Sequence, residues 1–132
     1  MDVEFHEKWS FAAARRAGDV VFLSGVVAGP RPGVEPTVAE YQDGVRRAFR
    51  HLERSLKAYG LTFADVAMLN TFHVFRTPHF PGTKMEQFDA FLKVKNEFMS
   101  APHTAWTAVG VTELLPDNGV VEIQAIAVVP KR

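Results

Sequence analysis

A single carboxylate lies in the middle of an apolar stretch near the end of the chain. Glu122 is flanked by valine and isoleucine in VVEIQAIAVV, residues 120–129. Because side chains alternate between the two faces of a strand, Glu122 lies on the face opposite to the one that carries Val121, Ile123, Ala125, Ala127 and Val129. Because an unpaired buried charge is costly, Glu122 lies on a solvated face, pairs with an arginine, or lines a pocket. In a pocket, apolar neighbours would raise its pKa, and the carboxyl would position a water or shuttle a proton.

A tryptophan stands among small residues in a second segment that is typical of a strand. In PHTAWTAVGV, residues 102–111, alternation places Trp106 on the same face as Thr104, Ala108 and Gly110. These small neighbours leave room for a ring or for a ligand. The residue types alone therefore do not decide whether Trp106 fills the core or lines a pocket.

The remaining reactive side chains form no recognisable metal, nucleotide or hydrolase motif. The 5 histidines show no H-x-x-x-H spacing, and no cluster of carboxylates accompanies them at ligand spacing, whereas zinc needs three or four converging ligands. The chain has 0 cysteines, which excludes disulfides and a thiolate nucleophile. Ser24 does not lie in a G-x-S-x-G elbow, and no phosphate-binding glycine loop occurs. We therefore predict no metal site.

Charge and hydropathy argue against nucleic acid or a membrane as the main partner. The chain has 15 basic and 15 acidic residues. In segment 46–54 a glutamate lies among the arginines, which favours a solvated helix face over an RNA patch. No apolar run approaches the roughly 18 residues of a membrane span, and residues 1–10 lack an apolar signal region. We expect a cytoplasmic protein whose zero net charge permits self-association.

Two helices are predicted from capping residues and apolar periodicity. The first begins at Thr37, where T-V-A-E forms a capping box with Glu40, and it ends at Gly60. The second begins at Thr83, where T-K-M-E forms a capping box with Glu86. In both segments apolar residues recur at the spacing of one helical stripe, so each helix should bury one face.

Strands are predicted where small, apolar and β-branched residues cluster, over residues 3–8, 10–16, 20–25, 66–75, 104–111 and 120–129. The resulting order is β-β-β-α-β-α-β-β in a single domain spanning residues 1–132. This order favours the α+β class, with two helices on one face of a mixed sheet. The second face of such a sheet must also be covered.

Three segments, taken in order, resemble the Rid (YjgF) family of reactive-intermediate deaminases, whose members are also labelled endoribonuclease L-PSP. FAAARRAGDVVFLSG, residues 11–25, resembles the family's A-x-R-A-G run followed by S-G. GLTFADV, residues 60–66, matches G-x-T-x-x-D-V. TAVGVTELLPDNGVVEIQAIA, residues 107–127, matches V-G-V, then L-x-P, then V-E-I-x-A-I-A. The likeness extends over nearly the whole chain, which is identified as a member of this family.

The resemblance implies a homotrimer of chorismate-mutase-like subunits whose open sheet faces form a barrel-like core around the three-fold axis. Small-molecule ligands are expected in clefts between subunits. Active members hydrolyse enamine or imine intermediates and release ammonia and a 2-keto acid without a cofactor, so no cofactor is expected here. Ser24 and Gly25 match the turn that orients the imine, and Glu122 matches the glutamate that holds the attacking water.

Two positions depart from the family's active pattern. Active members read P-A-R-(S/T)-x-V, and alignment on T-A-V-G-V puts Trp106 where they have the arginine that grips the substrate carboxylate. Tryptophan has one N–H donor and no charge, and losing a desolvated bidentate pair costs about 2–5 kcal/mol. Phe11 stands where the family often has tyrosine. We predict that the cleft binds ligands that are more apolar than standard 2-imino acids. Its substrate-binding residues are Phe11, Ser24, Gly25, Trp106 and Ala108.

Three functions stay open. The first is a hydrolase (deaminase) of reactive enamines or imines, in which Glu122 positions water and Trp106 stacks on the substrate or caps the pocket. The second is a trimer that binds a small ligand without turnover. The third is an endoribonuclease or translation inhibitor, against which the zero net charge counts. An arginine from a neighbouring subunit (Arg15, Arg16 or Arg76) would restore a grip on a carboxylate.

Overall fold

A computed structural model describes residues 8–131, which form one five-stranded mixed sheet with two helices on one face. The elements in chain order are β1 (Ala14–Ala17), β2 (Val20–Ala28), α1 (Val38–Lys57), a 3-10 turn (Phe63–Asp65), β3 (Val66–His73), α2 (Lys84–Phe98), β4 (Ala105–Gly110) and β5 (Val121–Val128). The predicted α+β class is confirmed.

The sheet has the order β1-β2-β5-β3-β4, and only β3 and β4 are parallel within the described residues. A parallel pair needs a long crossover, which α2 provides. On central strand β5, Val121, Ile123, Ala125 and Ala127 are buried beneath the helices. Glu122 and Gln124 therefore point to the opposite, open face of the sheet, as alternation predicts.

A β-bulge interrupts β2 next to the centre of the sheet. Two residues of β2, Ser24 and Gly25, stand opposite the single residue Gln124 of β5. The bulge bends the strand and lets it continue to Ala28, beyond its predicted end at Gly25. Because β1 pairs with β2 only as far as Leu23, no other described strand covers the outer edge of β2 after the bulge.

The N-terminal strand predictions are only partly met. The strand predicted over residues 3–8 falls outside the described residues except at Lys8. The strand predicted over 10–16 is shorter than expected, since β1 begins at Ala14. Ser10 has φ 57, in the left-handed region that a β-strand does not use, so extended structure starts only after it.

Only one of the two hydrogen bonds of the capping box predicted for α1 forms. The hydroxyl of Thr37 accepts a hydrogen bond from the backbone N–H of Glu40 at 3.0 Å. The Glu40 carboxylate does not return to Thr37, because it accepts instead from the backbone N–H of Arg31 at 2.9 Å and from the Arg31 guanidinium at 3.0 and 3.1 Å. A charge-assisted bidentate pair is stronger than a neutral cap bond, which explains the correction.

The other predicted helix ends are confirmed. Gly60 adopts φ 70, and its N–H donates to the carbonyl of Lys57, while the N–H of Leu61 donates to Leu56. This is the Schellman arrangement, in which a left-handed glycine lets the chain leave the helix. At the start of α2, the Thr83 and Glu86 side chains form the complete capping box.

A buried hydrogen-bond chain connects the sheet to α2. The side-chain amide N–H of Gln87 donates to the carbonyl of Val74 at 2.9 Å, so its amide oxygen faces Nδ1 of His73 at 3.2 Å and accepts that proton. Nε2 of His73 then accepts from the hydroxyl of Thr71 at 2.8 Å, and the Thr71 oxygen accepts from the indole N–H of Trp106 at 3.0 Å. Burial lowers the pKa of His73, in agreement with this neutral tautomer.

Replacing Thr71 with valine keeps the shape of the side chain but leaves the indole N–H and His73 Nε2 without partners. We expect T71V to lower the free energy of unfolding by about 1–3 kcal/mol, measured by urea denaturation. The same change at exposed Thr107 on β4 should cost less than about 0.5 kcal/mol. If the T71V protein were as stable as the T107V protein, the buried hydrogen bonds of Thr71 would contribute nothing to the free energy of unfolding.

Candidate functional site

A cleft of about 550 Å³ opens beside the uncovered edge of β2, a volume suited to a small molecule. Four of the predicted site residues line it together. These are Phe11, Ser24, Gly25 and Glu122. Strand β5 supplies the carboxyl, the bulge in β2 supplies Ser24 and Gly25, and the segment before β1 supplies the aromatic ring.

The absence of a side chain at Gly25 makes room for the carboxyl of Glu122. A Cβ atom built at Gly25 would lie 2.7 Å from Cδ of Glu122, which is closer than real Cβ contacts. The glycine is therefore required by close approach, although its φ is not in the left-handed region. Across the sheet, Glu122 pairs with Val27 on one side and Phe72 on the other, so apolar residues flank it on both neighbouring strands.

The environment of Glu122 favours its neutral form. Burial raises the pKa of this carboxyl above its ordinary value. The structure shows no ion pair between Glu122 and a lysine, arginine or histidine among residues 8–131. A partly buried carboxyl without a cationic partner can take up and release a proton closer to neutral pH than an exposed one.

Ser24 ties the segment that carries Phe11 to the bulge. Its hydroxyl donates to the carbonyl of Ala12 at 2.6 Å, and its backbone N–H donates to the carbonyl of Ala13 at 2.9 Å. Because the hydroxyl proton is engaged, the Ser24 oxygen can act towards a ligand only as an acceptor. The ring of Phe11 is 37% exposed, which leaves it open to contact with a ligand.

Trp106 and Ala108 do not meet Glu122 within one subunit. They lie on β4 and face the helices, whereas Glu122 lies on β5 and faces the open side of the sheet. The Trp106 ring stacks on Phe88 at 5.3 Å, and the ammonium of Lys95 lies 5.0 Å from its centre. A contact of Trp106 or Ala108 with a ligand of the Glu122 cleft would need a neighbouring subunit and stays a prediction.

None of the arginines considered as replacements lines the Glu122 cleft of its own subunit. Arg16 donates to the carbonyl of Gly18 at 2.8 Å and lies 3.7 Å from Asp19. Arg76 lines a separate depression beside Lys84 at the start of α2. A contribution from a neighbouring subunit stays a prediction.

Residues of α1 also line the cleft, and sequence reasoning did not identify their role. His51, Leu52 and Ser55 form one wall, and Leu115, which has 86% of its surface exposed, also lines the cleft. Ser55 is only 3% exposed. A polar residue within the apolar stripe of α1 is the signal that would have pointed to this wall.

The described residues hold no group of three or more histidine, aspartate or glutamate side chains placed to bind a metal ion. Among the same residues, neither helix combines the length and apolar character needed to cross a membrane.

The sheet order, the crossover helix and the bulge with its facing carboxyl define a small α+β fold with a glutamate in its cleft. The family model described as Endoribonuclease L-PSP matches residues 3–129. The chain belongs to this family, also called YjgF or Rid, as its sequence motifs indicate.

Two relatives and one solved structure illustrate the likeness. The RutC family protein YjgH of Escherichia coli K12 is 39% identical over 124 residues, covering 92% of this chain and 85% of that protein. The 2-iminobutanoate/2-iminopropanoate deaminase of Dermatophagoides farinae is 29% identical over 119 residues, covering 90% and 85%. A solved structure of protein YJGH matches with a TM-score of 0.74 and 36% identity, covering 96% of this chain and 89% of that one.

A double-mutant cycle tests the contact between Gly25 and Glu122. We expect G25A to lower the free energy of unfolding by about 1–3 kcal/mol, because the new methyl group collides with the carboxyl. In an E122A background the same change should cost less than about 0.5 kcal/mol, measured by urea denaturation. An E113A background, which removes an exposed carboxylate, serves as control. An equal cost of G25A in all three backgrounds would contradict the assigned contact.

Proposed function

We propose that this protein hydrolyses small reactive imines or enamines, with Glu122 as the carboxyl that handles the proton of the attacking water. The observation that carries the proposal is the position of Glu122, which lies partly buried in a small-molecule cleft with a raised pKa. The overall reaction converts C=N and water into C=O and ammonia, and an enamine enters it through its imine tautomer.

The cleft residues suit the two proton transfers of this hydrolysis. Water adds to the carbon of the protonated imine while the Glu122 carboxylate takes a proton from the water, which gives a neutral carbinolamine. The protonated carboxyl then gives this proton to the amino nitrogen. The C–N bond breaks as C=O forms, and the hydroxyl proton passes to the released ammonia, so that ammonium and the Glu122 carboxylate result. A carboxyl with a raised pKa serves both steps better than an ordinary one. The Ser24 oxygen accepts a hydrogen bond from the nitrogen during the reaction.

The relatives support the reaction class. The Dermatophagoides farinae relative is named as a deaminase of 2-iminobutanoate and 2-iminopropanoate. For the present chain we propose a different substrate, because Trp106 replaces the arginine and its single N–H is already donated to Thr71. A 2-imino acid would therefore lack a cation at this position of β4.

A homotrimer in the cytoplasm is part of the same proposal. On the open side of the sheet, Phe22 is 47% exposed, Val109 40% and Val128 43%. Cyclic packing around a three-fold axis would cover such apolar side chains in every copy. It would also bring β4 of one subunit towards the cleft of another.

The alternatives differ in what the cleft does. A trimer that only binds a ligand would use the same cleft but show no turnover. The family model's description also names an endoribonuclease. The zero net charge and the apolar surroundings of Glu122 disfavour a polyanionic substrate.

Turnover can be measured with imines generated in situ. We expect accelerated ammonia release from a neutral ketimine such as that of acetophenone, and weaker acceleration with 2-iminopropionate. E122Q should lower the rate by about 10²–10⁴-fold, whereas E113Q should not. The rate should rise with pH through a pKa above that of an ordinary glutamate, because the carboxylate is the form that accepts the proton. No acceleration with any imine, or full activity of E122Q, would refute the proposal.

A further inference from the structure

A second groove continues from the Glu122 cleft along α1. It has a volume of about 270 Å³ and shares Val26, Val27 and His51 with the cleft. Its remaining wall contains Arg47 and Arg54. The two spaces therefore adjoin each other, with a partly buried carboxyl in the cleft, apolar side chains in the shared wall and two arginines in the groove.

The side chains of α1 that line the groove lie on one side of the helix. Arg47, His51 and Arg54 follow one another at i, i+4 and i+7, so they project in similar directions. The floor between them is formed by the small residues Gly44 and Ala48. A Cβ atom at Gly44 would lie 3.1 Å from the carbonyl of Gly29, so the helix packs closely on the end of β2 there.

The positive charge of the groove is only weakly neutralised within the described chain. The Arg47 guanidinium lies 3.8 Å from Glu40, but that carboxylate is already held by the Arg31 guanidinium at 3.0 and 3.1 Å. Arg54 has no ion pair among residues 8–131. Both guanidinium groups can therefore donate to a bound anion.

We propose that this groove is a subsite for the carboxylate of a ligand whose imine or carbonyl carbon lies at Glu122. The inference deepens the proposed function and rests on it for the position of the reacting carbon. Along α1, Arg47 lies one helical turn from His51, which corresponds to about 6 Å. The ligand class is accordingly an oxo or imino acid whose carboxylate is separated from the reacting carbon by several methylene groups.

This assignment is consistent with the tryptophan in place of the arginine on β4. In a 2-imino acid the carboxylate is attached to the reacting carbon, so it would lie beside Glu122 and be repelled when both groups are ionised. With a longer spacer, the negative end reaches Arg47 and Arg54, and the methylene groups lie against Val26 and Val27. The charge of the ligand is then recognised by α1 instead of by β4.

Binding of stable carbonyl analogues tests the subsite without requiring turnover. We would titrate the ¹⁵N-labelled protein with 5-oxohexanoate, its neutral amide 5-oxohexanamide, and 2-oxohexanoate, and follow the amide signals by NMR. We expect 5-oxohexanoate to bind about 3- to 10-fold more tightly than either of the other compounds. Signals of Val26, Val27 and Ala48 should shift, and the advantage should shrink at high salt.

Charge-neutralising variants distinguish binding of the carboxylate by the groove arginines from non-specific attraction by positive charge elsewhere on α1. R47Q and R54Q should each remove most of the preference for 5-oxohexanoate over its amide. R50Q removes the same charge from an exposed position of the same helix that lines neither space, and it should keep the preference. An equal loss in R50Q, equal binding of acid and amide, or tighter binding of inorganic phosphate than of 5-oxohexanoate would overturn the subsite.

The outcomes for the subsite and for the proposed function can be told apart. If 5-oxohexanoate binds through Arg47 and Arg54 but no imine is hydrolysed, the subsite stands and the hydrolase proposal fails. If imine hydrolysis depends on Glu122 while R47Q and R54Q leave the preference for the acid unchanged, the hydrolase proposal stands and the subsite fails.

Discussion

The close approach of the β2 main chain to the Glu122 carboxyl is the contact on which the cleft depends. It requires a residue without a side chain at Gly25, and it requires the bulge that turns Ser24 and Gly25 towards β5. The same bulge allows β2 to continue past the end of β1, which leaves its outer edge uncovered. The carboxyl, the serine and the opening of the cleft thus follow from one irregularity in one strand.

The two faces of the sheet carry different chemistry. On the helix side, Trp106, Thr71, His73 and Gln87 form a hydrogen-bond chain with one consistent direction of donation, which fixes the indole ring. On the open side, Glu122 has apolar neighbours and a raised pKa. Because the indole N–H is used internally, the tryptophan cannot replace an arginine as a partner for a carboxylate. Positive charge near the cleft lies on α1 instead, which is the physical basis for a ligand with a remote carboxylate.

Much of the fold and part of the candidate site could be predicted from the sequence. Alternation in β5 places Glu122 opposite the buried face, and the caps at Thr83 and Gly60 fix helix ends, because these signals are local. The direction of Trp106 could not be predicted, since β4 carries small residues on both faces. Only half of the α1 capping box forms because Arg31 binds the Glu40 carboxylate, and this contact with a loop residue is tertiary and not visible in the local sequence. The wall formed by His51 and Ser55 likewise arises only when α1 packs against β2.

The titration of the Glu122 side chain tests the central claim most directly. In a protein with ¹³C-labelled glutamate, the carboxyl resonance that disappears in E122Q identifies this residue, and its midpoint can be followed by NMR. Burial without a described cationic partner predicts a midpoint above the value of about 4.3 that is ordinary for glutamate. The same shift implies that native stability decreases as the pH rises through that midpoint. A midpoint at or below the ordinary value would mean that Glu122 is solvated or paired, and it would contradict the account.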